Sequence, residues 1–331
     1  MSARSAASSG DGPTVISTFA GCGGSSLGYK LAGFRELLAV EWDDNAVETF
    51  KLNFPEVPVY HGDITKLTGS ECMRLAGIGT GELDVFDGSP PCQGFSTAGK
   101  RKFDDPRNSL FKEYARLLKD LQPRVFVMEN VTGMVKGCMK QAYLAIVATL
   151  RECGYRVKGE VLNAMHYNVP QSRERVIIIG VRNDLGIEPS HPKPQTRPVT
   201  AGVALEGVEN RTFNRPLATV ATAIWNKAKP GQNGTCLRPG YYMNSLKVDP
   251  AKPMPTIPKI CPGGGGHMHW SERRTLTIEE IKRGASFPDS YKLVGNFEKQ
   301  WERIGNSVPP NLMRAIAEHV RREILDRATQ A

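Results

Sequence analysis

The sequence predicts an α/β fold, a mostly parallel sheet with helices on both faces. Three observations predict it. Between residues 14 and 182, seven short apolar runs alternate with helix-like stretches, the pattern that builds a parallel sheet with crossover helices. A glycine-rich turn follows the first run and opens the first helix-like stretch. The second and third runs end in acids, Glu41 and Asp63, which such a sheet places on one edge.

The elements follow in order. "TVISTFAG", "ELLAVEW", "VPVYHGD", "LDVFDGS", "RVFVMENV", "YRVKGEVLNA" and "ERVIIIGVR" read as strands. Between them, "SSLGYKLAG", "DNAVETFKLNF", "SLFKEYARLLKDLQ" and "MKQAYLAIVATLREC" read as helices. In the third of these, Leu110, Tyr114, Leu117, Leu118 and Leu121 recur at helical spacing. The alternation stops near Pro189. Residues 190–270 hold eleven Pro and nine Gly, which predicts a loop-rich module with a few short strands. Regularity returns at "TLTIEEIKRGASF", where Thr277 and Glu280 have capping-box spacing. A last helix, "NLMRAIAEHVRREIL", follows Pro309–Pro310. The expected organisation is a tail over 1–13, a large domain over 14–185, an inserted module over 186–272, and a return to the large domain over 273–331.

Composition narrows the function classes. The chain has 331 residues, 40% hydrophobic and 23% charged, an ordinary globular balance. No apolar stretch is long enough to cross a bilayer. The N-terminal "MSARSAASSGDGP" lacks the apolar core of a signal peptide, so a cytoplasmic location is expected. Seven cysteines without close pairs argue against a disulfide framework and a zinc ribbon. His267 and His269 have no third ligand at a useful spacing, so no metal is expected. The net charge is +9, and residues 190–270 alone hold ten Lys or Arg against three acids. That region is a candidate surface for a polyanion.

Two loops point to chemistry. In "FAGCGGSSLG" (19–28), Gly21, Gly23 and Gly24 permit a tight turn and close approach of a ligand to the backbone. Glu41 is placed to hold ribose hydroxyls. A dinucleotide needs a pyrophosphate cradle, usually GxGxxG; the G-x-G-G-x-x-x-G found here is off that pattern. An adenosine carrying an amino acid, as in S-adenosylmethionine, needs no such cradle. The second loop is "DGSPPCQGFS" (87–96), which puts Cys92 on a stiff turn after a buried strand. The thiol there is either a buried filler or an attacking group.

These motifs together resemble the bacterial DNA (cytosine-5)-methyltransferases. The matches run in the family's order: "FAGCGG" at 19, "EW" at 41, "GDI" at 62, "PPCQGFS" at 90, "ENV" at 129, "QSRERVIIIG" at 171, "RTLTIEEIKR" at 274 and "GNSVPP" at 305. Only about 186–272 lacks a match, and in that family this segment is the variable target recognition domain. The resemblance implies a Rossmann-like S-adenosylmethionine-dependent fold. It also implies methyl transfer to carbon 5 of a cytosine flipped out of duplex DNA.

The resemblance assigns roles. Cys92 is the nucleophile that adds to carbon 6. Glu129 contacts ring nitrogen 3 and the exocyclic amine, and burial is expected to keep it protonated, or sharing a proton, when the base is bound. Arg175 reaches the cytosine carbonyl, and Arg173 helps position the loop and the nucleophile. Phe19, Gly21, Gly23, Gly24, Glu41, Trp42, Asp63, Ile64, Pro91, Leu110, Asn306, Ser307 and Val308 surround the cofactor. Gln93, Ser96, Arg101, Gln171, Arg238 and Lys259 are the expected DNA contacts. Arg274 and Arg283 brace the recognition module. S-adenosylmethionine is the implied cofactor and S-adenosylhomocysteine its product. Double-stranded DNA is the implied partner, with the chain acting as a monomer. The rivals are an RNA cytosine methyltransferase, whose Cys-Phe-Thr signature is absent, a non-catalytic DNA-binding relative, and a nicotinamide dehydrogenase.

Overall fold

The computed structural model describes residues 12–91, 109–135, 139–209, 215–240, 242–261 and 266–330. Seven strands form one sheet: β1 (Thr14–Thr18), β2 (Arg35–Glu41), β3 (Val59–His61), β4 (Val85–Gly88), β5 (Val125–Val131), β6 (Tyr155–Asn163) and β8 (Glu174–Arg182). Their order is β3-β2-β1-β4-β5-β8-β6. The first five run parallel, and β8 runs antiparallel to both of its neighbours. All seven runs read as strands are therefore in the sheet. That β8, the last strand but one in the order, is reversed is not readable from the sequence, because alternation carries no information on direction.

Helices cover both faces, for a reason visible along β5. Phe126 and Met128 face a cluster with α3 (Gly69–Ala76), α4 (Ser109–Leu121) and α5 (Lys140–Glu152), through Cys72, Leu117, Leu118, Ile146 and Leu150. Val125 and Val127 face the opposite cluster, with Tyr29 of α1 (Gly24–Leu31) and Leu312, Met313 and Ile316 of α10 (Pro310–Val320). Period-two alternation of uniformly apolar residues is what a strand buried on both sides requires.

The chain order reverses beside β1: β2 lies on one side of it and β4 on the other. The carboxyl ends of β1 and β4 therefore diverge, leaving a crevice of the kind where ligands bind in open α/β sheets.

A third cluster ties the later chain to the sheet. It joins Phe50 and Phe54 at α2 (Asp44–Asn53) to Ile278 and Ile281 of α8 (Ile278–Gly284) and Trp301 and Ile304 of α9 (Phe297–Asn306). Val248, Met254 and Ile257 of the intervening module join the same cluster. The module is loop-rich. It holds α6 (Ala201–Ala204), α7 (Thr219–Lys227) and three two-residue strands, β9 (Leu246–Lys247), β10 (Met254–Pro255) and β11 (His267–Met268). β10 pairs with β7 (Gln171–Ser172), which precedes β8. Its own small cluster includes Ala221, Ile224, Ala228 and Met268.

The capping box at Thr277 and Glu280 forms as predicted. Glu280 also holds both ends of the Arg274 guanidinium at 2.7 Å. Arg283 pairs with Asp289 and donates to the Glu206 carbonyl of the module at 2.7 Å.

Candidate active site

A cavity of about 590 Å³ opens at the sheet's carboxyl edge. Its floor is the glycine turn. Phe19 holds a left-handed backbone (φ 55°), a strained conformation for a side chain of that size. Gly23 and Gly24 let α1 start under other chain segments. A Cβ at Gly24 would stand 2.3 Å from the Val308 carbonyl oxygen, and one at Gly23 would stand 2.5 Å from the Phe54 ring.

Glu41 ends β2, and its carboxylate is held by three backbone amides. Gly21 donates to Oε2 at 2.8 Å, while Trp42 and Asp43 donate to Oε1 at 2.8 and 2.9 Å. The group is thereby fixed at the cavity wall as a hydrogen-bond acceptor. Trp42 beside it is 74% exposed, which leaves its indole face open to a ring from a ligand. Asn306, Ser307 and Val308 form the opposite wall. The Ser307 hydroxyl donates to the Arg303 carbonyl at 2.7 Å and lies 3.0 Å from the Cys22 sulfur. Burial pushes the Cys22 thiol up to about 11, so it is a neutral packing group.

The other half of the cavity is charged. Glu129, on β5, meets Arg175, on β8, at 2.8 Å, both nearly buried. The antiparallel β5–β8 pairing brings them to one edge. Arg173 is 3% exposed. Its Nη1 donates to the Ile257 carbonyl at 3.3 Å and its Nη2 to that of Gly305 at 3.1 Å. Burial, and then the charge of Arg175, lower its pKa to about 9. Asn130 donates to the Pro90 carbonyl at 3.0 Å, tying the end of β5 to the proline turn after β4.

The cavity brings together most of the residues singled out in the sequence. Phe19, Gly21, Gly24, Glu41, Trp42, Pro91, Glu129, Arg173, Arg175, Asn306, Ser307 and Val308 all line it. Ile64 and Leu110 pack with Phe19 in the core cluster behind it. Gly23 and Asp63 are not among the lining residues. A Cβ on Gly23 would meet Phe54 and Tyr291. Asp63 is exposed, and its carboxylate accepts from the Thr65 amide at 2.9 Å, capping a short turn. Cys92, Gln93, Ser96 and Arg101 lie outside the described residues.

One expected DNA contact is corrected. Gln171 is 1% exposed, its amide donating to the Gly284 carbonyl and accepting from the Ile257 amide, both at 3.3 Å. It braces the module's return strand and has no surface to offer DNA. Lys259 lies on the cavity rim, 3.3 Å from Glu302. Arg238 is exposed on the module, as are Lys193, Arg197, Lys227, Lys229 and Lys252.

Sequence reasoning missed Asp43, Asn130, Thr256–Pro258, Glu302 and Arg303, all of which line the cavity. Asn130 could have been found, since it lies within the "ENV" motif already quoted. The segment 256–258 gave no periodic signal.

Comparison with known proteins agrees with this geometry. The model of the C-5 cytosine-specific DNA methylases matches residues 13–322. The chain is 37% identical to the Type II methyltransferase M1.HphI of Haemophilus parahaemolyticus, over 93% of this chain and 86% of that one. It is 31% identical to M.XorII of Xanthomonas oryzae, over 92% and 83%. Among solved structures, the fold matches a prophage-encoded DNA modification methyltransferase of E. coli with a TM-score of 0.79 at 23% identity, over 95% of this chain and all of that one. It matches Dnmt2 of Spodoptera frugiperda with a TM-score of 0.69 at 20% identity, over 96% of this chain and all of that one.

Proposed function

This chain belongs to the C-5 cytosine-specific DNA methylase family and is a DNA (cytosine-5)-methyltransferase, and from that premise we propose that its cavity holds S-adenosylmethionine beside one flipped-out cytosine. The observation that carries the reading is the division of one cavity into two halves. One half presents a fixed carboxylate and aromatic faces, and the other presents the Glu129–Arg175 pair.

The donor set fits the cofactor. Glu41 is anchored by three amides and suits ribose hydroxyls, and Trp42 and Phe19 suit the adenine. With Glu41 lying against the glycine turn, the site disfavours a pyrophosphate and favours a cation. When bound, S-adenosylmethionine supplies an electrophilic methyl group on a sulfonium.

The remaining chemistry belongs to the chain. Cys92, next after the rim residue Pro91, adds as thiolate to carbon 6 of the cytosine, forming an S–C bond and pushing density toward nitrogen 3. Glu129 contacts nitrogen 3 and the exocyclic amine, while Arg175 donates to the ring carbonyl. Arg175 also holds Glu129 at 2.8 Å, so the acid meets the base already oriented. Carbon 5 becomes nucleophilic. After it is methylated, its proton passes to water, and the C–H electron pair re-forms the 5,6 double bond and expels the Cys92 thiolate. Arg173 positions this wall through two backbone carbonyls.

Residues 186–272 serve as the target recognition domain, with their exposed Lys and Arg meeting phosphates. The chain acts as a monomer on double-stranded DNA in the cytoplasm. No helix among the described residues is long and apolar enough to cross a membrane.

The test is transfer of labelled methyl from S-adenosylmethionine to duplex DNA and to transfer RNA, followed by trapping on duplexes carrying 5-fluorocytosine. Label in DNA and a covalent complex that is lost in Cys92→Ala are expected. Label in RNA alone, or full trapping by the alanine variant, would overturn the reading.

A further inference from the structure

We infer that Arg303 is a positioning residue for the cofactor half of the cavity, holding together the three chain segments that form it. The inference rests on the reading of that half as the S-adenosylmethionine site.

Arg303 lies on α9, just before the wall residues Asn306–Val308. Its side chain is only 6% exposed although it lines the cavity. Nη1 donates to Asp43 Oδ1 at 2.8 Å, and Nη2 lies 3.3 Å from Glu302 Oε1. Asp43 passes the connection on. Its own amide donates to the Glu41 carboxylate at 2.9 Å, and its Oδ1 caps α2 through the Ala46 amide. At its backbone end, the Arg303 carbonyl accepts from the Ser307 hydroxyl and lies 3.5 Å from the Cys22 sulfur. One residue thus reaches the glycine turn, the acidic strand end and the 306–308 wall.

The glycine turn and the acidic strand end are joined by the β1–β2 pairing, whose last register pair is Thr18 with Val40, but no strand pairing among the described residues ties the 303–308 segment to either. The 303–308 segment belongs to a helix and its exit, and it meets the sheet edge through side chains and the close approach at Gly24. A buried guanidinium is costly unless paired, and its planar fork can serve two acceptors where an ammonium serves as a point charge. Packing alone would be met by an apolar side chain of similar volume. The fork adds a fixed Asp43, and with it one of the three amides that orient Glu41. Among the described residues, the side-chain hydrogen bonds and ion pairs of Arg303 run to Asp43 and Glu302, while Glu129 pairs with Arg175. Loss of Arg303 therefore acts on cofactor capture more than on the step at the base.

The experiment uses the full chain with Arg303→Met, Arg303→Lys and Asp43→Asn. An asparagine keeps the α2 cap while breaking the ion pair. The readouts are the dissociation constant of S-adenosylhomocysteine by calorimetry, cofactor KM and kcat on duplex DNA, and thermal unfolding. Arg303→Met should raise the dissociation constant and KM by about tenfold or more, with kcat at saturating cofactor lowered by about threefold at most. Arg303→Lys should recover part of the binding. Asp43→Asn should weaken binding on its own, but add little to Arg303→Met, because both cut the same link. If Arg303→Met does not fold, Asp43→Asn and Arg303→Lys decide.

Binding within about twofold of the parent in the folded variants, a kcat loss as large as the KM rise, or simple additivity of the two substitutions would overturn the inference. Failure of the parent chain itself to bind S-adenosylhomocysteine would instead remove the cofactor reading.

Discussion

Asp87→Asn should make the protein more stable in alkaline solution. Asp87 sits on β4, two residues before the sequence reaches Ser89–Pro91 of the cavity rim, and is 4% exposed. The Tyr29 hydroxyl donates to it at 3.2 Å, and the Ser25 hydroxyl also bonds to it. Burial, and next the charge of Glu36, push its pKa up to about 8. Burial pushes Glu36 up to about 7, against the Ser17 and Ser26 hydroxyls that favour its anion. Glu36 therefore loses its proton first, and its charge is part of what holds Asp87 up.

The sign follows from proton counting. The native chain keeps the Asp87 proton at a pH where the unfolded chain has lost it. The contribution to stability is complete below the ordinary carboxylate pKa, declines as pH rises, and levels off above about 8. Between about pH 5.5 and about pH 8, at about 1.4 kcal/mol per unit, the decline is about 3 kcal/mol. Asparagine mimics the protonated acid and does not titrate. Urea unfolding of parent and variant across this range isolates the effect from other titrating groups. The variant should gain on the parent by about 3 kcal/mol from the acidic end to the alkaline end. A difference that stays constant with pH, or moves toward the parent, would refute the burial argument. Glu36→Gln should shift the same transition to lower pH.

Glu129→Gln should lower kcat by about 10²- to 10³-fold while leaving S-adenosylhomocysteine affinity within about twofold, since Glu129 faces the other half of the cavity; unchanged turnover would remove it from the chemistry. Gly28→Ala should cost about 1–3 kcal/mol, read as a lower Tm, because a Cβ there would stand 2.6 Å from the Met313 side chain and 2.7 Å from the Pro310 carbonyl oxygen. A Tm equal to the parent's would mean α1 and α10 pack less tightly than described. DNA affinity should fall by about 10³-fold between 50 and 200 mM salt if six exposed Lys and Arg of the module meet phosphates; a flat profile would place the DNA on another face.

The strands were legible because β-branched runs such as "VIIIGV" cannot be amphipathic helices of ordinary length, and the helices next to them showed 3.6-residue spacing. Four of the helices described above have no counterpart in the sequence reading: α6 and α7, inside the module expected to hold loops and short strands, and α3 and α9. α3 is eight residues long, with only Gly69 and Cys72 fully buried, so it leaves a faint apolar stripe. α9 carries Phe297, Trp301 and Ile304 on one face, and its last two residues, Gly305 and Asn306, already belong to the "GNSV" motif, whose Gly and Asn read as a loop. The carboxylates and arginines of the site could be named from their motifs. Their mutual arrangement could not. That Arg175 grips Glu129 depends on β8 running against β5, and that Arg173 bonds to Ile257 and Gly305 depends on a return strand of two residues. Gln171 shows the converse error, where a polar residue beside two functional arginines looked available and is instead buried against α8.

The return of the chain to the first domain has a consequence for synthesis. The glycine turn at 21–24 leaves the ribosome roughly 15–60 s before residues 302–308, at about 5–20 residues per second. Until then the Val308 carbonyl that overlies Gly24 does not exist, and the apolar side of α1 has no α10 to cover it. In the folded chain α10 covers the apolar side of α1 and residues 306–308 wall the cavity, so both the core and the cavity are completed by the last residues to be made.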